Sequence, residues 1–519
     1  FEVRVPPAPS MQAGCGARAL ARTRTRAAHW RGRAAILRGM SESPDEPPRE
    51  RAERQGRRRS DVLALGVLTV AIVVGLATLV HPWYEATNDG SVYIATARAL
   101  VAGEGYSYLG EPFRLRPPGL PVLLMPFVAR GAIDFFAINF AIALTGAATL
   151  VLLFLWARPR LGVWPALGCS LLIGALPGFQ RVCNQVMTDV PGAAALLGIL
   201  IVERKARGSR SIGIQIALGV LIGLSAYLRN SLFLLLPAIL LGRVLAPRGE
   251  EGPSGFWRRV FDRRTAILVL SAVAVMAPWS LRQRACTPDV PADQTYQFSA
   301  WTLIFHEDFA DPDSPRVPAE EVVARIPERM QELFVELGLG RLARDPVNKL
   351  RPDLSPIHAG WSALLLGSAL VALIRRRGAA EWFLALSTAA LSLLPTPVLP
   401  RYALPYLLIA VPDAVELIGV LFSRIAPARW VRAGVTAALL VGAGLVLEPR
   451  QDWPELEQRH RELVEICEAV EGELEPTDKI ASMIGWNLQV FLDRPVYSLR
   501  FEYAHSAGPE GCERVIRRY

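Results

Sequence analysis

About eleven stretches of this chain are apolar over lengths that approach a bilayer crossing: roughly 62–80, 134–156, 163–181, 189–203, 211–228, 230–246, 266–280, 359–374, 380–395, 402–422 and 430–447. A hydrocarbon core of about 30 Å takes roughly 20 helical residues to cross. Inside it every backbone polar group must be satisfied within the segment, which selects helices. The pattern predicts an all-α polytopic membrane protein, with the segments 189–203 and 266–280 the shortest. The 57 Lys+Arg and net charge of +9 do not redirect this reading to nucleic acid, because most of the basic residues lie in short loops between apolar runs. Nearly all of them are Arg; Lys205, Lys349 and Lys479 are the only lysines, which reads as codon bias.

Those loops set an orientation. With the N-terminus in the cytoplasm beside "RRRSD", the inside connections become "RPRLG", "ERKARGSR", "APRGEEGPSGFWRRVFDRR", "RRRGAAE" and "SRIAPARWVR". All are Arg-rich, as the positive-inside rule requires. The outside then holds two large loops, 81–133 and 282–358, and the segment 448–519. That last segment alternates helix with strand: "LEQRHRELVEICEAVEGEL" reads as a charged amphipathic helix, "DKIASMIG" and "RPVYSL" as strands, and "WNLQVFLD" and "GPEGCERVIRRY" as helices. Three regions follow: a basic, disordered-looking tail over 1–61, a membrane domain over 62–447, and a small outer α/β domain over 448–519. The Arg/Ala-rich beginning predicts a natural start at Met40, and the abrupt "GCERVIRRY" predicts a longer protein.

Soluble-enzyme signatures do not occur. There is no Gly-Lys for a phosphate-binding loop, no H-E-x-x-H and no G-x-S-x-G. The cysteines Cys15, Cys169, Cys183, Cys286, Cys467 and Cys512 include no C-x-x-C; one disulfide among Cys286, Cys467 and Cys512 is compatible with an oxidising face. The acidic run "DFADPD", Asp308 to Asp313, lacks the Gly and closing Glu of a calcium loop and reads as solvated surface. No cofactor is called for, and a divalent metal stays an open question.

Six charged residues are different: Asp89, Arg116, Asp189, Arg229, Arg282 and Arg401 all fall on the outside at or near span ends. Taken singly, such an Arg snorkels to headgroups and such an Asp caps a helix. Together they place four Arg where the positive-inside bias should thin them, and ionisable groups near hydrocarbon mark function. Arg presents a planar fork that matches phosphate oxygens. Several around one point stabilise a phosphate leaving group, and an Asp nearby that is not paired with them takes a proton from the attacking group. The stretch 91–101 reads as an amphipathic helix with Val92, Ala95, Ala99 and Leu100 on one side, "GEGY" breaks it, and "RPPGLPVLLMPF" reads as a re-entrant or interfacial helix beneath the loop.

In this order the motifs resemble those of the GT-C glycosyltransferases, specifically the bacterial relatives of protein O-mannosyltransferases and the lipid A aminoarabinose transferase. The matching residues are D-x-x-x-Y-x-x-x-A-R-x-L-x-x-G-x-G-Y at Asp89–Tyr106, Arg116-Pro117-Pro118, T-D-x-P from Thr188, L-R-N from Leu228, P-W-x-x-R ending at Arg282, and R-Y-x-L-P from Arg401. The resemblance implies a GT-C fold with about 11 transmembrane helices in a bacterial plasma (inner) membrane, N-terminus cytoplasmic and C-terminus extracytoplasmic. It implies a sugar carried on a polyprenyl phosphate and moved to a protein, lipid or glycan acceptor. It implies Asp89 as catalytic base, Asp189 as second acid, Arg116 on the phosphate with Arg229, Arg282 and Arg401, and Tyr93, Tyr106, Pro117, Pro118 and Tyr402 in the substrate loops. Tyr406-Leu407-Leu408 departs from the second Pro usual after the RY motif, which leaves the acceptor undetermined. Two other classes stay open: a transporter or flippase for lipid-linked sugars, which calls for internal repeats and mid-span charges, and a non-catalytic protein on the same scaffold.

Overall fold

The computed structural model describes residues 48–129, 133–245, 262–290, 298, 315–339, 356–393, 398–446, 453–475, 480–482, 485–492 and 496–498. The chain divides into two units, Phe1–Leu63 and Ala64–Tyr519; the first helix begins in the first unit, and the packing and the site described below lie in the second. The acidic run Asp308–Asp313 and the expected C-terminal helix "GPEGCERVIRRY" lie outside the described residues.

Among the described residues each of the apolar segments is largely helical, and five helices are by themselves long and apolar enough to cross a membrane: Arg58–Leu79, Phe135–Leu161, Arg263–Ala285, His358–Arg376 and Arg401–Phe422. The shortfall has local causes. The segment 163–181 breaks at Leu176, whose extended backbone is followed by Pro177 opening a new helix; the 13 residues of Val163–Ala175 reach only about 20 Å at 1.5 Å per residue. Helix Asp189–Arg207 ends in Glu203, Arg204, Lys205 and Arg207, charges that shorten its apolar part.

In chain order the helices are α1 (Pro48–Leu79), α2 (Asn88–Ala102), α3 (Gly119–Val128), α4 (Phe135–Leu161), α5 (Val163–Ala175), α6 (Pro177–Val182), α7 (Asp189–Arg207), α8 (Ile212–Leu228), α9 (Leu235–Val244) and α10 (Arg263–Ala285). They continue with α11 (Ala319–Ala324), α12 (Ile326–Leu339), α13 (Pro356–Arg376), α14 (Ala379–Ser392), α15 (Leu404–Phe422), α16 (Ala428–Val446), α17 (Trp453–Glu471) and α18 (Gly485–Phe491). Helix α4 packs on α5 and on α7, α7 on α8, and α8 on α10; α13 packs on α15, and α5 on α16. One large apolar core joins these helices, including Phe154, Leu196, Ile222, Leu268, Phe383 and Leu408.

Helix α2 starts earlier than the pattern indicated. Thr87 caps it, its side chain accepting from the Gly90 N–H at 3.0 Å, and Gly103 ends it in the left-handed conformation (φ 82°) that glycine adopts without a Cβ clash. It is not a one-sided amphipathic helix. Tyr93, Ile94 and Ala97 enter one apolar cluster with Leu120 and Leu124 of α3, while Val92, Ala95 and Leu100 enter another with Tyr106, Phe113 and Phe298. Covered on both flanks, α2 is part of the core. Helix α3 has 10 residues, too few to span, and buries Leu120, Leu124 and Val128 at a four-residue spacing.

Two small sheets complete the described fold. Strands β1 (Ser107–Tyr108) and β2 (Glu111–Pro112) form an antiparallel hairpin, and β3 (Ile480–Ser482) pairs in parallel with β4 (Val496–Ser498), Ile480 opposite Val496. Helix α18 lies in the crossover that parallel pairing demands. It packs on α2. Arg98 of α2 donates to the Val490 carbonyl at 2.8 Å, and the Tyr84 N–H donates to His460 Nδ1 at 3.2 Å. The segment read as an outer domain is thus seated on the helix that carries Asp89. Cys286 and Cys467 are free thiols, so they are not bonded to each other; Cys15 and Cys512 lie outside the described residues.

Candidate active site

Asp89 lies in the first turn of α2. Because Thr87 is the cap, the Asp89 carboxylate is free of helix capping and points to other elements. Its Oδ1 accepts from Arg116 Nη2, and its Oδ2 lies 2.7 Å from Arg401 Nη1. Arg401 belongs to the 3-10 turn Pro400–Ala403 that leads into α15. Asp189 opens α7 and accepts from Arg229, the residue that ends α8. Five separate segments therefore bring two acids and three arginines together, each side chain a quarter exposed or less.

Tyr402 joins the two pairs. The Arg401 guanidinium carbon lies 5.5 Å and that of Arg229 lies 5.9 Å from its ring centroid, within the range of cation–π attraction. Arg116 sits 6.0 Å from the Tyr93 ring. The Met187 sulfur, between Thr87 and Arg401, is 3.6 Å from each polar atom, and the Arg401 Nε has no hydrogen-bond partner despite being buried. The proline pair sets the position of Arg116. Pro117 is buried, Pro118 precedes α3, and a Cβ on Gly119 would come within 2.4 Å of the Tyr227 carbonyl oxygen. Only glycine lets this loop lie on the end of α8. Asn230 then bonds the Leu115 carbonyl at 3.2 Å, and Tyr106 the Arg116 carbonyl at 3.0 Å.

Electrostatics follow from the pairing. Burial alone would raise the Asp89 carboxyl, but the Arg116 and Arg401 guanidiniums more than offset it and hold it far below the usual carboxylate range. Burial pushes the Tyr93 and Tyr106 phenols up, so both stay protonated donors. The expectation of an acid unpaired with the arginines is corrected here: Asp89 is doubly paired, because the elements that carry the three groups end at one point.

Arg282 is placed otherwise than expected. It donates to the Phe113 carbonyl at 2.5 Å and the Tyr106 carbonyl at 2.7 Å, and packs on the Tyr106 and Trp279 rings at 5.3 and 5.5 Å. Its donors hold the backbone on either side of the β1–β2 hairpin, so it supports the site through Tyr106. Glu85 escaped the sequence reading. Arg181 bonds it at 2.5 Å and Gln185 at 2.8 Å, which ties the approach to α2 to the α6–α7 connection; its signal was a second acid four residues before Asp89. A second ionic network lies elsewhere, at the last turns of α4 and α13. There Arg160 and Arg376 meet the Asp413 carboxylate at 3.0 and 2.6 Å, and Arg376 meets Glu381 at 3.1 Å. Charge is thus not confined to one end of the helices. Among the described residues no group of three or more His, Cys, Asp or Glu could hold a metal ion.

Comparison with known proteins agrees with this architecture. Residues 116–251 match the family model for dolichyl-phosphate-mannose-protein mannosyltransferase. The structure is similar to ArnT from Cupriavidus metallidurans bound to undecaprenyl phosphate, with a TM-score of 0.54, 15% identity, and coverage of 87% of this chain and 88% of that one. It is also similar to the archaeal oligosaccharyltransferase AglB from Archaeoglobus fulgidus in complex with an inhibitory peptide and a dolichol-phosphate, with a TM-score of 0.51, 13% identity, and coverage of 88% of this chain and 68% of that one. No curated protein matches by sequence. The fold is therefore that of the GT-C glycosyltransferases, as the motif order implied.

Proposed function

We propose that this chain is an integral membrane glycosyltransferase that moves a sugar from a polyprenyl-phosphate donor to an acceptor on the extracytoplasmic face of a bacterial plasma membrane. The observation that carries the reading is the convergence of Asp89 with Arg116 and Arg401, beside Asp189 with Arg229. Similarity to proteins described with undecaprenyl phosphate and dolichol-phosphate supports the donor class.

The chemistry follows from which partners exchange. A donor phosphate competes with Asp89 for Arg116 and Arg401, whose forked donors suit phosphate oxygens. As the guanidiniums turn to phosphate, Asp89 loses the charges that hold its proton affinity down and becomes a usable base. The acceptor hydroxyl or amine then attacks the anomeric carbon. The bond from that carbon to the phosphate oxygen breaks, the acceptor proton passes to the Asp89 carboxylate, and polyprenyl phosphate leaves with its charge on the arginines. Asp189 keeps Arg229 in place beside Tyr402. Incubation of the purified protein in nanodiscs with a radiolabelled polyprenyl-phosphate sugar and a membrane extract as acceptor source tests the reading. Label moving to a new product supports it, and label remaining wholly on the polyprenyl carrier overturns it.

A further inference from the structure

In the proposed transfer, Asp89 gives up Arg116 and Arg401 to the donor phosphate just as it has to act as base. Those two ion pairs tie α2 to the Arg116 loop and to the turn before α15, so the exchange releases ties that hold the carboxylate in place. Electrostatics adds to the release. The site sets three arginines against two acids, and α2 and α7 both turn their N-terminal, partly positive ends toward it. A contact outside the exchange has to keep the start of α2 against the start of α7.

The chain ahead of each helix supplies one. Residues 84–87 lead into α2 and residues 183–188 connect α6 to α7. Glu85 Oε1 accepts from Arg181 Nε of α6 at 2.5 Å and from Gln185 Nε2 at 2.8 Å. Beside it the Thr87 hydroxyl lies 3.6 Å from the Met187 sulfur, and a Cβ on Gly90 would come within 3.1 Å of the Val186 carbonyl oxygen. The glycine and the thioether permit close approach but pull weakly. The bonds of Glu85 are charge-assisted, roughly twice as strong as neutral ones, and its side chain is only 11% exposed. The far side of the clamp is anchored in turn. Gln180 Nε2 donates to the Gly174 carbonyl at 3.2 Å and Asn184 Nδ2 to the Gln180 carbonyl at 3.1 Å, which fixes α6 to the last turn of α5.

We infer that Glu85 is a positioning residue for the transfer: its clamp on Arg181 and Gln185 holds the Asp89 carboxylate beside Asp189 while the arginines serve the phosphate. The inference rests on the reading of the chain as a transferase. Glu85 stands two residues before the cap Thr87 and four before Asp89, so it acts at the root of the helix. Its partners are Arg181 and Gln185, not Arg116 or Arg401, so donor binding leaves the clamp closed. Its loss should therefore slow the step that needs Asp89 and spare donor binding. A displacement of about 1 Å in a reacting group costs on the order of a hundredfold in rate.

The test uses the full chain in nanodiscs, with sugar transfer from a radiolabelled polyprenyl-phosphate sugar and binding of decaprenyl phosphate measured side by side. Glu85→Ala should lower kcat by about ten- to a hundredfold and leave the donor KM and the decaprenyl phosphate affinity at wild-type values. Glu85→Gln, which keeps the acceptor oxygen but not the charge, should fall between. Arg181→Ala, at a position where the side chain is 37% exposed, should lower kcat without loss of folding. Glu85→Ala combined with Arg181→Ala should be no slower than the slower single variant, because both break one contact. In an Asp89→Asn background Glu85→Ala should cost nothing further, since the group it positions is gone. Wild-type kcat in Glu85→Ala and Arg181→Ala overturns the proposal. So does weakened decaprenyl phosphate binding in step with the rate, or a further loss of rate in the Asp89→Asn background. Where Glu85→Ala fails to fold, Glu85→Gln and Arg181→Ala decide on the same readouts. The transferase reading fails separately, if the wild type transfers no sugar.

Discussion

Arg401 Nη1 lies 2.7 Å from Asp89 Oδ2, joining the turn before α15 to the first turn of α2. Arg116 holds the other oxygen of the same carboxylate, so one acid is shared between two cations that a phosphate would otherwise meet. The pairing makes donor binding precede base action.

Arg116→Ala should weaken donor binding, and Arg116→Lys should retain part of it, because the charge survives while the fork is lost. Donor Michaelis constants measure this. Unchanged values in both variants remove Arg116 from the phosphate site.

Asp89→Asn keeps size and polarity but not basicity, so turnover should fall by about 10²–10⁴-fold with normal membrane insertion. The helix start should not suffer, because Thr87 is the cap. Thr87→Ala is the variant expected to cost about 1 kcal/mol through capping. An Asp89→Asn protein with the wild-type rate shifts the base to Asp189.

The depressed Asp89 carboxyl also sets a pH dependence of stability. A carboxyl held lower in the folded than in the unfolded chain contributes stability that is fully present above the unfolded value of about 4. That contribution is lost only as pH falls toward the folded value. The melting difference between wild type and Asp89→Asn should therefore be flat from pH 5 to 8 and shrink below about pH 4. Thermal melts across that range decide it; a difference that already shrinks between pH 7 and 5 contradicts the double pairing.

Arg282→Ala should loosen the β1–β2 loop, because it removes donors to two carbonyls at once. Hydrogen exchange over residues 106–114 should accelerate, while the same region in Arg116→Lys stays protected. Equal protection in both variants places Arg282 elsewhere in the mechanism.

Cysteines at Ser209 and Ser423 should react with an impermeant maleimide only from the cytoplasm, and one at Glu104 only from outside, in a background with Cys286 replaced by Ser. Glu104 and Ser423 are exposed in the structure. Labelling at Glu104 only after permeabilisation reverses the orientation and moves the site to the cytoplasmic face.

The sequence by itself determined the helical segments and their order, because length and apolarity are properties of a continuous stretch. It also singled out Asp89, Asp189, Arg116, Arg229 and Arg401 at or near helix ends, since motif order survives without knowledge of contacts. Only the tertiary structure decided which charges pair. Asp89 meets Arg116 and Arg401, and Arg282 meets backbone instead of the acids, because those distances depend on how α2, α8, α10 and α15 end relative to one another. The same holds for α2, read as one-sided but buried on both flanks. Periodicity records what one helix presents; which neighbours cover it is fixed by packing between segments far apart in the chain.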